Sequence, residues 1–337
     1  MTANEHNPLK FVGMGEVLFD VFEDGAATMG GAPLNVAVHA HQLAAACGVG
    51  EGLVVSRVGD DLPGKQIRDA LLDRGMSTRY LQTDPVHSTG TVSVFMRNGE
   101  PGYQFEPDAA WDFLEDQAVL DGLAESCHAV CFGSLAQRSA QSRETIRAFV
   151  GRTQNAVRLY DVNLRRNTLT HDLGYSADIL ERSCEIATIV KVNCAELIEV
   201  GTLFGIKSSL TEECEMIREL ASGIMRRLCI PTLVVTRGAK GTTLFTGQRE
   251  FHGHAPPLTV DDAHPVGAGD ACTAGILFGT LLGLNSDSAV DLGNRMGAWV
   301  ASDRAATPRL PDDLVNFAKE LVRLRHAEQG DSLVETA

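Results

Sequence analysis

The chain has 337 residues, of which 44 are acidic and 29 are basic, so its formal net charge is −15 at pH 7. Such an acidic surface repels phosphate backbones and anionic lipids, which argues against nucleic acid and membranes as partners. Hydrophobic residues make up 44% and charged residues 22% of the chain, which is the composition of an ordinary globular protein able to bury its own core.

Two further features bear on localisation. The N-terminal residues MTANEHNPLK contain no apolar stretch of the kind found in a secretory signal. The eight cysteines are scattered and form no CxxC pair, which is typical of buried thiols in a reducing compartment. We therefore expect a cytoplasmic protein.

Short runs rich in β-branched residues alternate with longer segments of helical spacing. The predicted strands are LKFVGMG (9–15), GLVVSRVG (52–59), HAVCFGSL (128–135), VRLYDVN (157–163), ATIVKVN (187–193) and PTLVVTRG (231–238). The predicted helices lie near residues 33–47, 61–74, 138–153, 174–185, 194–204, 210–229, 268–283, 286–303 and 311–326. Nearly continuous apolar strands alternating with helices indicate the α/β class, with a mostly parallel sheet covered on both faces.

Two stretches, residues 17–31 and 89–112, break this alternation. Within the second, Asn98-Gly99 and Pro101-Gly102 are strong turn signals between short alternating segments, which predicts a β-hairpin over 89–106. Strands without an intervening helix do not belong to the parallel sheet, so we expect both stretches to form a small β-lid on a single domain spanning residues 1–337. The open strand edges of such a lid favour a homodimer formed through it.

The segment Gly267-Ala268-Gly269-Asp270 opens an apolar helical run at residues 271–283. Glycines at a helix start let backbone N–H groups converge on an anion, and the helix dipole adds positive charge there. An aspartate in that first turn lies where a base can take the proton from a hydroxyl group that attacks a phosphoryl group. The alternative is a glycine-rich loop in which Asp270 only caps the helix.

A second glycine motif, Gly30-Gly31-Ala32-Pro33-Leu34-Asn35, lies near the start of the chain. Paired glycines permit close approach of the backbone, Pro33 suits the first turn of a helix, and Asn35 offers both a donor and an acceptor. Read alone, this segment is more typical of an ordinary turn leading into a helix than of a binding site. A third segment, Gly59–Lys65, has the spacing of a phosphate-binding P-loop. It contains Pro63 and two aspartates, so we interpret it as a helix entry.

The two glycine motifs resemble the two signatures of the ribokinase-like (PfkB) sugar kinase family. Four further motifs, each at a predicted strand end, occur in the matching order: Gly15-Glu16 with Asp20, Asp161-x-Asn163-x-Arg165, Asn193-x-x-Glu196 and Thr236-Arg237-Gly238-x-x-Gly241. The resemblance covers roughly residues 10–315 and is nearest to fructokinase-like and 2-keto-3-deoxygluconate kinase-like members. It implies a ribokinase-like three-layer α/β sandwich with a mostly parallel central sheet and a small β-sheet lid.

The resemblance also implies an ATP-dependent sugar kinase and a role for each matching residue. Asp270 would be the catalytic base, and the backbone of Gly267, Ala268 and Gly269 would form the anion hole. The residues holding the sugar would be Asp20, Gly30, Gly31 and Asn35, with Arg165 facing substrate or phosphate. The residues contacting ATP would be Asn193, Thr236, Arg237, Gly238, Gly241 and Asn294. Mg²⁺ and its waters would be organised by Asn193 and Glu196.

One position departs from the family pattern. His264 stands where relatives commonly carry an aspartate that helps to bind a monovalent cation, and Asp261 and Asp262 lie just upstream. Alkali cations prefer oxygen donors to imidazole, so we expect activity that does not depend on K⁺. The alternative is that Asp262 takes the place of the missing carboxylate.

The substrate is less closely defined by the sequence. The Asp161–Arg165 motif and the segment FEPDAAWDF (105–113) favour fructose or a related ketose or sugar acid. A nucleoside kinase of the same family remains an alternative, as does a non-catalytic sugar- or nucleotide-sensing protein on this fold.

Overall fold

The computed structural model describes residues 8–97, 100–165, 175–247, 249–258 and 264–334. The strands are β1 (Leu9–Met14), β2 (Leu18–Phe22), β3 (Ala27–Gly30), β4 (Gly50–Gly59), β5 (Leu81–Asp84), β6 (Gly90–Arg97), β7 (Glu100–Phe105), β8 (Ala129–Gly133), β9 (Val157–Asp161), β10 (Ile189–Asn193), β11 (Thr232–Thr236), β12 (Thr242–Thr246) and β13 (Arg249–Gly253). The helices are α1 (Ala32–Cys47), α2 (Leu62–Leu72), α3 (Val119–Ser126), α4 (Ala140–Arg152), α5 (Ala177–Ile186), α6 (Cys194–Leu203), α7 (Glu213–Arg227), α8 (Ala268–Leu281), α9 (Ser286–Ala301) and α10 (Asp312–Val334).

The larger sheet has the strand order β13-β12-β11-β10-β9-β8-β1-β4-β5. All neighbouring strands from β11 to β5 in this order pair in parallel, and β12 and β13 add an antiparallel edge. The predicted mostly parallel sheet is therefore confirmed. The sequence reading missed β5, β12, β13 and α3, which are only four to eight residues long and too short for a clear periodic signal.

Helices cover both faces of this sheet and make the sandwich three layers deep. Buried residues of α3 to α7 pack on one face, and buried residues of α1, α8, α9 and α10 pack on the other. Strand residues alternate between these two clusters, because successive side chains of a strand point to opposite faces. No helix in the described part of the chain is long and apolar enough to cross a membrane.

The smaller sheet has the order β3-β2-β6-β7. Its strands come from the two stretches that interrupt the α/β alternation, and β6 and β7 pair antiparallel as the predicted hairpin. The turn residues 98 and 99 lie outside the described residues. Farther along the second stretch, Ala110–Phe113 form a short 3₁₀ helix rather than a strand.

Two local contacts explain how the chain enters its first two helices. A Cβ atom at Gly13 would lie 1.9 Å from the Pro33 carbonyl oxygen, so this glycine lets the start of α1 pack directly on β1. At α2, the Asp61 side chain accepts a hydrogen bond from the Gly64 N–H at 2.8 Å and caps the helix. The P-loop-like spacing at 59–65 is therefore a helix entry, as interpreted from the sequence.

Candidate active site

Helix α8 begins with an uncapped N-terminus. Gly267 precedes it with φ +80°, and a Cβ atom there would lie 2.5 Å from the Ala306 carbonyl oxygen, so both conformation and space call for glycine. No side chain caps the helix, and the first N–H groups of any helix lack intrahelical partners. Asp270 lies in this first turn beside those donors. The loop thus combines an anion-binding helix terminus with an acceptor carboxylate.

The two glycine motifs meet at Asp270. Asn35, on the buried side of α1, donates from Nδ2 to Asp270 Oδ2 at 2.8 Å. Burial raises the pKa of Asp270 from 3.8 to about 6, although Lys191 and the Asn35 hydrogen bond act in the opposite direction. Asn35 Oδ1 is buried and has no hydrogen-bond partner, so it remains available to a ligand hydroxyl.

The smaller sheet contributes Asp20 to the same region. A Cβ atom at Gly30 would lie 2.8 Å from Asp20 Oδ2, and one at Gly31 would lie 2.4 Å from the Glu16 carbonyl oxygen. Gly31 also has φ +115°, a conformation that other residues rarely adopt. The paired glycines therefore allow the chain to pass between Glu16 and Asp20 and enter α1. Burial raises the pKa of Asp20 from 3.8 to about 6 against the opposing charge of Arg165.

Arg165 follows the end of β9 and lies among acidic groups. Its Nη1 contacts the Leu164 carbonyl oxygen at 3.3 Å. Its charge lowers the pKa values of four carboxyl groups, although burial raises these pKa values more. The four groups are Glu16, Asp20, Glu196 and Asp270. The charge of Arg165 thus acts on Asp20, which is predicted to hold the sugar, and on the predicted base Asp270.

Glu16 belongs to the site, although the sequence assigned it no role. It directly follows β1 and is 2% exposed, and its Oε2 has no hydrogen-bond partner. Burial raises its pKa from 4.5 to about 7, against the opposing charge of Arg165. A buried carboxyl group with a raised pKa is typical of functional sites. In the sequence, this role was indicated only by a glutamate immediately after the predicted apolar strand 9–15.

Lys191 is a second residue that the sequence reading missed. It lies in β10, is 7% exposed, and its Nζ contacts Asp161 Oδ2 at 2.8 Å. A lysine among the valines of a predicted buried strand was the available signal. Its position relative to the site depends on strand pairing, which local sequence does not determine.

Asn193 and Glu196 form a capping box at the start of α6. Asn193 Oδ1 accepts from the Glu196 N–H, and Glu196 Oε2 accepts from the Asn193 N–H, each at 2.9 Å. Glu196 Oε1 also accepts from the Leu164 N–H at 3.0 Å, which ties α6 to the segment carrying Arg165. Burial raises the pKa of Glu196, and the charge of Asp161 adds to the effect. Across the described ranges, no group of three or more His, Cys, Asp or Glu side chains is arranged to hold a metal.

The predicted nucleotide residues lie along the neighbouring strands. Thr236 ends β11 and pairs in register with Asn193. Gly238 and Gly241 have φ +55° and +84°, and a Cβ atom at Gly241 would lie 2.0 Å from the Gly253 carbonyl oxygen. The Arg237 side chain, in contrast, contacts its own neighbours, namely the Lys240 carbonyl oxygen at 3.3 Å and Cys214 Sγ at 3.8 Å.

Asn294 is buried on α9, beyond these strands. Its Oδ1 accepts from Thr242 Oγ1 at 2.7 Å, and its Nδ2 has no hydrogen-bond partner. A Cβ atom at Gly253 would lie 2.5 Å from that nitrogen, so glycine makes room for the amide. Burying a donor without a hydrogen-bond partner costs free energy, so a ligand that accepts from this nitrogen would be stabilising.

The segment predicted to lie near a monovalent cation, residues 261–266, is only partly covered by the described residues. Asp261 and Asp262 lie outside the described residues. The His264 backbone N–H donates to the Ala301 carbonyl oxygen at 2.8 Å, so this residue is tied to the end of α9.

Known proteins match this chain in sequence and in fold. The model of the pfkB family carbohydrate kinases matches residues 21–313. The chain is 28% identical over 312 residues to fructokinase of Escherichia coli, covering 88% of this chain and 95% of that one. It is 25% identical over 316 residues to 2-dehydro-3-deoxygluconokinase of Thermoproteus tenax, covering 87% of this chain and 85% of that one.

Two crystal structures of fructokinase from Vibrio cholerae O395 superpose with a TM-score of 0.73 each and cover 92% of this chain. One, 25% identical over 99% of its length, contains fructose, ADP and calcium ion. The other, a double mutant that is 26% identical over 98% of its length, contains fructose, ADP and potassium ion. The sequence match and the shared fold extend over nearly the whole chain. The chain therefore belongs to the pfkB family of carbohydrate kinases.

Proposed function

We propose that this kinase transfers the γ-phosphoryl group of ATP to a hydroxyl group of fructose or a related ketose or sugar acid, with Asp270 as the catalytic base. The observation that carries the proposal is the position of Asp270 in the uncapped first turn of α8, hydrogen-bonded to Asn35 at 2.8 Å. A base and an anion-binding helix terminus at one point are the elements that phosphoryl transfer to a hydroxyl requires.

The charge state of Asp270 suits this role. With a pKa raised to about 6 by burial, the carboxyl group is mostly ionised at pH 7 and accepts a proton more readily than an ordinary aspartate does. Apart from the Ala268 N–H, which donates to the Pro265 carbonyl oxygen at 3.1 Å, the N–H groups at the start of α8 would stabilise the transferring phosphoryl group.

On the sugar side, Asp20 and Asn35 Oδ1 would accept hydrogen bonds from sugar hydroxyl groups. The positive charge of Arg165 acts on Asp20. Carboxylates and amides are typical partners of sugar hydroxyl groups because each offers acceptors in fixed directions. Arg165 would bind a phosphate or a substrate carboxylate.

On the nucleotide side, the residues present fit ATP. The glycine turn at 238–241 permits close approach of the backbone, and Asn294 Nδ2 is a buried donor without a partner. Mg²⁺ would be held through water and phosphate oxygens by Glu196 and Asn193, since each Glu196 oxygen retains a free lone pair beside its N–H bond. Bound Mg²⁺ neutralises charge on the phosphates.

Coupled detection of ADP across a panel of sugars and nucleosides tests this function. The panel should contain fructose, other ketoses, 2-keto-3-deoxygluconate and nucleosides such as adenosine. We expect turnover with a ketose or sugar acid and none with nucleosides. Turnover restricted to nucleosides would establish a nucleoside kinase instead. Binding of sugar or ATP without any ADP release would establish a sensor.

A further inference from the structure

A buried ion pair lies in the central sheet beneath the proposed site. Asp161 at the end of β9 and Lys191 in β10 are register partners on adjacent parallel strands, and Asp161 Oδ2 lies 2.8 Å from Lys191 Nζ. The two residues are 1% and 7% exposed. Removing two charges from water costs several kcal/mol per ion, and apolar residues of similar volume often stabilise a fold as well or better. Fold stability alone therefore does not account for this pair.

The ion pair lies directly behind the loop that carries Asp270. A Cβ atom built at Gly269 would lie 3.2 Å from Lys191 Nζ, so the ammonium group is adjacent to the residue preceding the base. Thr273, one turn into α8, donates to the Gly269 carbonyl oxygen at 2.9 Å and also lies 3.5 Å from Asp161 Oδ2. The ion pair thus lies against the first two turns of α8, with Lys191 beside Gly269 and Asp161 beside Thr273.

Charged groups reach Asp270 from several elements. Asp161 and Arg165 lie at and after the end of β9, Lys191 is on β10, and Glu16 follows β1. Asn35 on α1 contributes the hydrogen bond to Asp270, while Cys131 on β8 and Glu196 on α6 face the Asp161–Lys191 pair.

Among these groups, the two members of the ion pair act on Asp270 with opposite signs. Burial raises the pKa of Asp270; the ammonium group of Lys191 lowers it, and the carboxylate of Asp161 raises it further. The direct ion pair with Asp161, 2.8 Å away and buried, holds Lys191 in its ammonium form.

We propose that Lys191, anchored by Asp161, is a positioning residue of the kinase reaction: it places a fixed positive charge behind Gly269 that keeps Asp270 in its carboxylate form. This inference rests on the proposed role of Asp270 as base. In this proposal β9 and β10 support catalysis through the charges of Asp161 and Lys191, and not through contact with the sugar.

The test compares the pH dependence of kcat in Lys191→Met and Asp161→Asn. Loss of the positive charge in Lys191→Met should shift the acid limb of the profile to higher pH by about one unit, the effect typical of a nearby opposite charge. Loss of the negative charge in Asp161→Asn should shift the limb to lower pH. The double variant should return towards the wild-type profile, and unlike either single variant it leaves no unpaired buried charge to oppose folding. Arg218→Met, which removes an exposed ion pair with Glu250, is the matched control and should leave the limb in place.

A second measurement does not depend on turnover. In protein labelled with ¹³C at aspartate carboxyl groups, the resonance missing from Asp270→Asn identifies Asp270, and its titration should shift in the same opposite directions. Unchanged titration of Asp270 in both folded single variants, or shifts of the same sign, would overturn the inference. The proposed function fails separately, through substantial turnover by Asp270→Asn.

Discussion

Asn35 donates a hydrogen bond from its side-chain amide to the Asp270 carboxylate, and the two residues are separated by 235 positions in the chain. The bond joins the starts of α1 and α8, which pack side by side on the same face of the large sheet. The orientation of the proposed base is therefore set by a residue from the opposite end of the sequence. The two glycine motifs form one site because each opens one of these helices.

Asp270→Asn should lower kcat by about two to four orders of magnitude, the usual contribution of a general base. The amide keeps the shape and the contact with Asn35 but cannot accept the hydroxyl proton. Steady-state kinetics measures the loss, and calorimetry with ATP should show nearly unchanged affinity. Retention of more than about a tenth of wild-type turnover would contradict the assignment of the base.

The kcat of the wild-type enzyme should fall as the pH decreases through about 6, because protonated Asp270 cannot act as a base and its pKa lies there rather than near 3.8. Asp20 has a similarly raised pKa, so Asp20→Asn separates the two groups. That variant should raise KM for the sugar and keep the acid limb of kcat. A kcat that stays constant down to pH 4.5 in folded protein would refute the prediction.

Arg165→Ala should raise KM for ATP or for an acidic sugar by about tenfold or more, since a hydrogen bond to a charged group contributes about 1.5–3 kcal/mol. The unfolding temperature should change little, because Arg165 makes only a 3.3 Å contact to the adjacent Leu164 carbonyl oxygen within the described residues. Arg218→Ala, on the exposed face of α7, serves as the control for removing an arginine. A large loss of stability with unchanged kinetics would reassign Arg165 to a structural role.

The smaller sheet should mediate a homodimer. Its outer strands β3 and β7 each pair with one neighbour in the chain, and open strand edges are commonly protected by a partner. Light scattering should give twice the chain mass of 36.1 kDa. A single species of the chain mass at all concentrations would contradict the dimer but would not bear on the expectation that this sheet is a lid.

Activity should be independent of K⁺, because the His264 side chain offers no oxygen donor where the family commonly has an aspartate. Initial rates in K⁺, Na⁺ and a bulky organic cation at equal ionic strength measure this, and we expect equal rates. Strong activation by K⁺ that disappears in Asp262→Ala would show instead that the upstream carboxylate has taken over the site.

The sequence by itself determined the α/β class, most of the helices, most of the parallel strands and the second sheet, because these depend on local periodicity and turn residues. It also located the loops around Gly31 and Gly267, where φ values of +115° and +80° require glycine. These features are readable because neighbouring residues suffice to produce them.

Only the tertiary structure decided which distant groups share an environment. The pairing of Lys191 with Asp161 depends on the register of β9 and β10, and the bond between Asn35 and Asp270 depends on the packing of α1 against α8. The raised pKa values of Glu16 and Asp270 likewise come from burial by elements far apart in the chain. Desolvation and charge act through space, so their effects on a residue cannot be read from its neighbours in sequence.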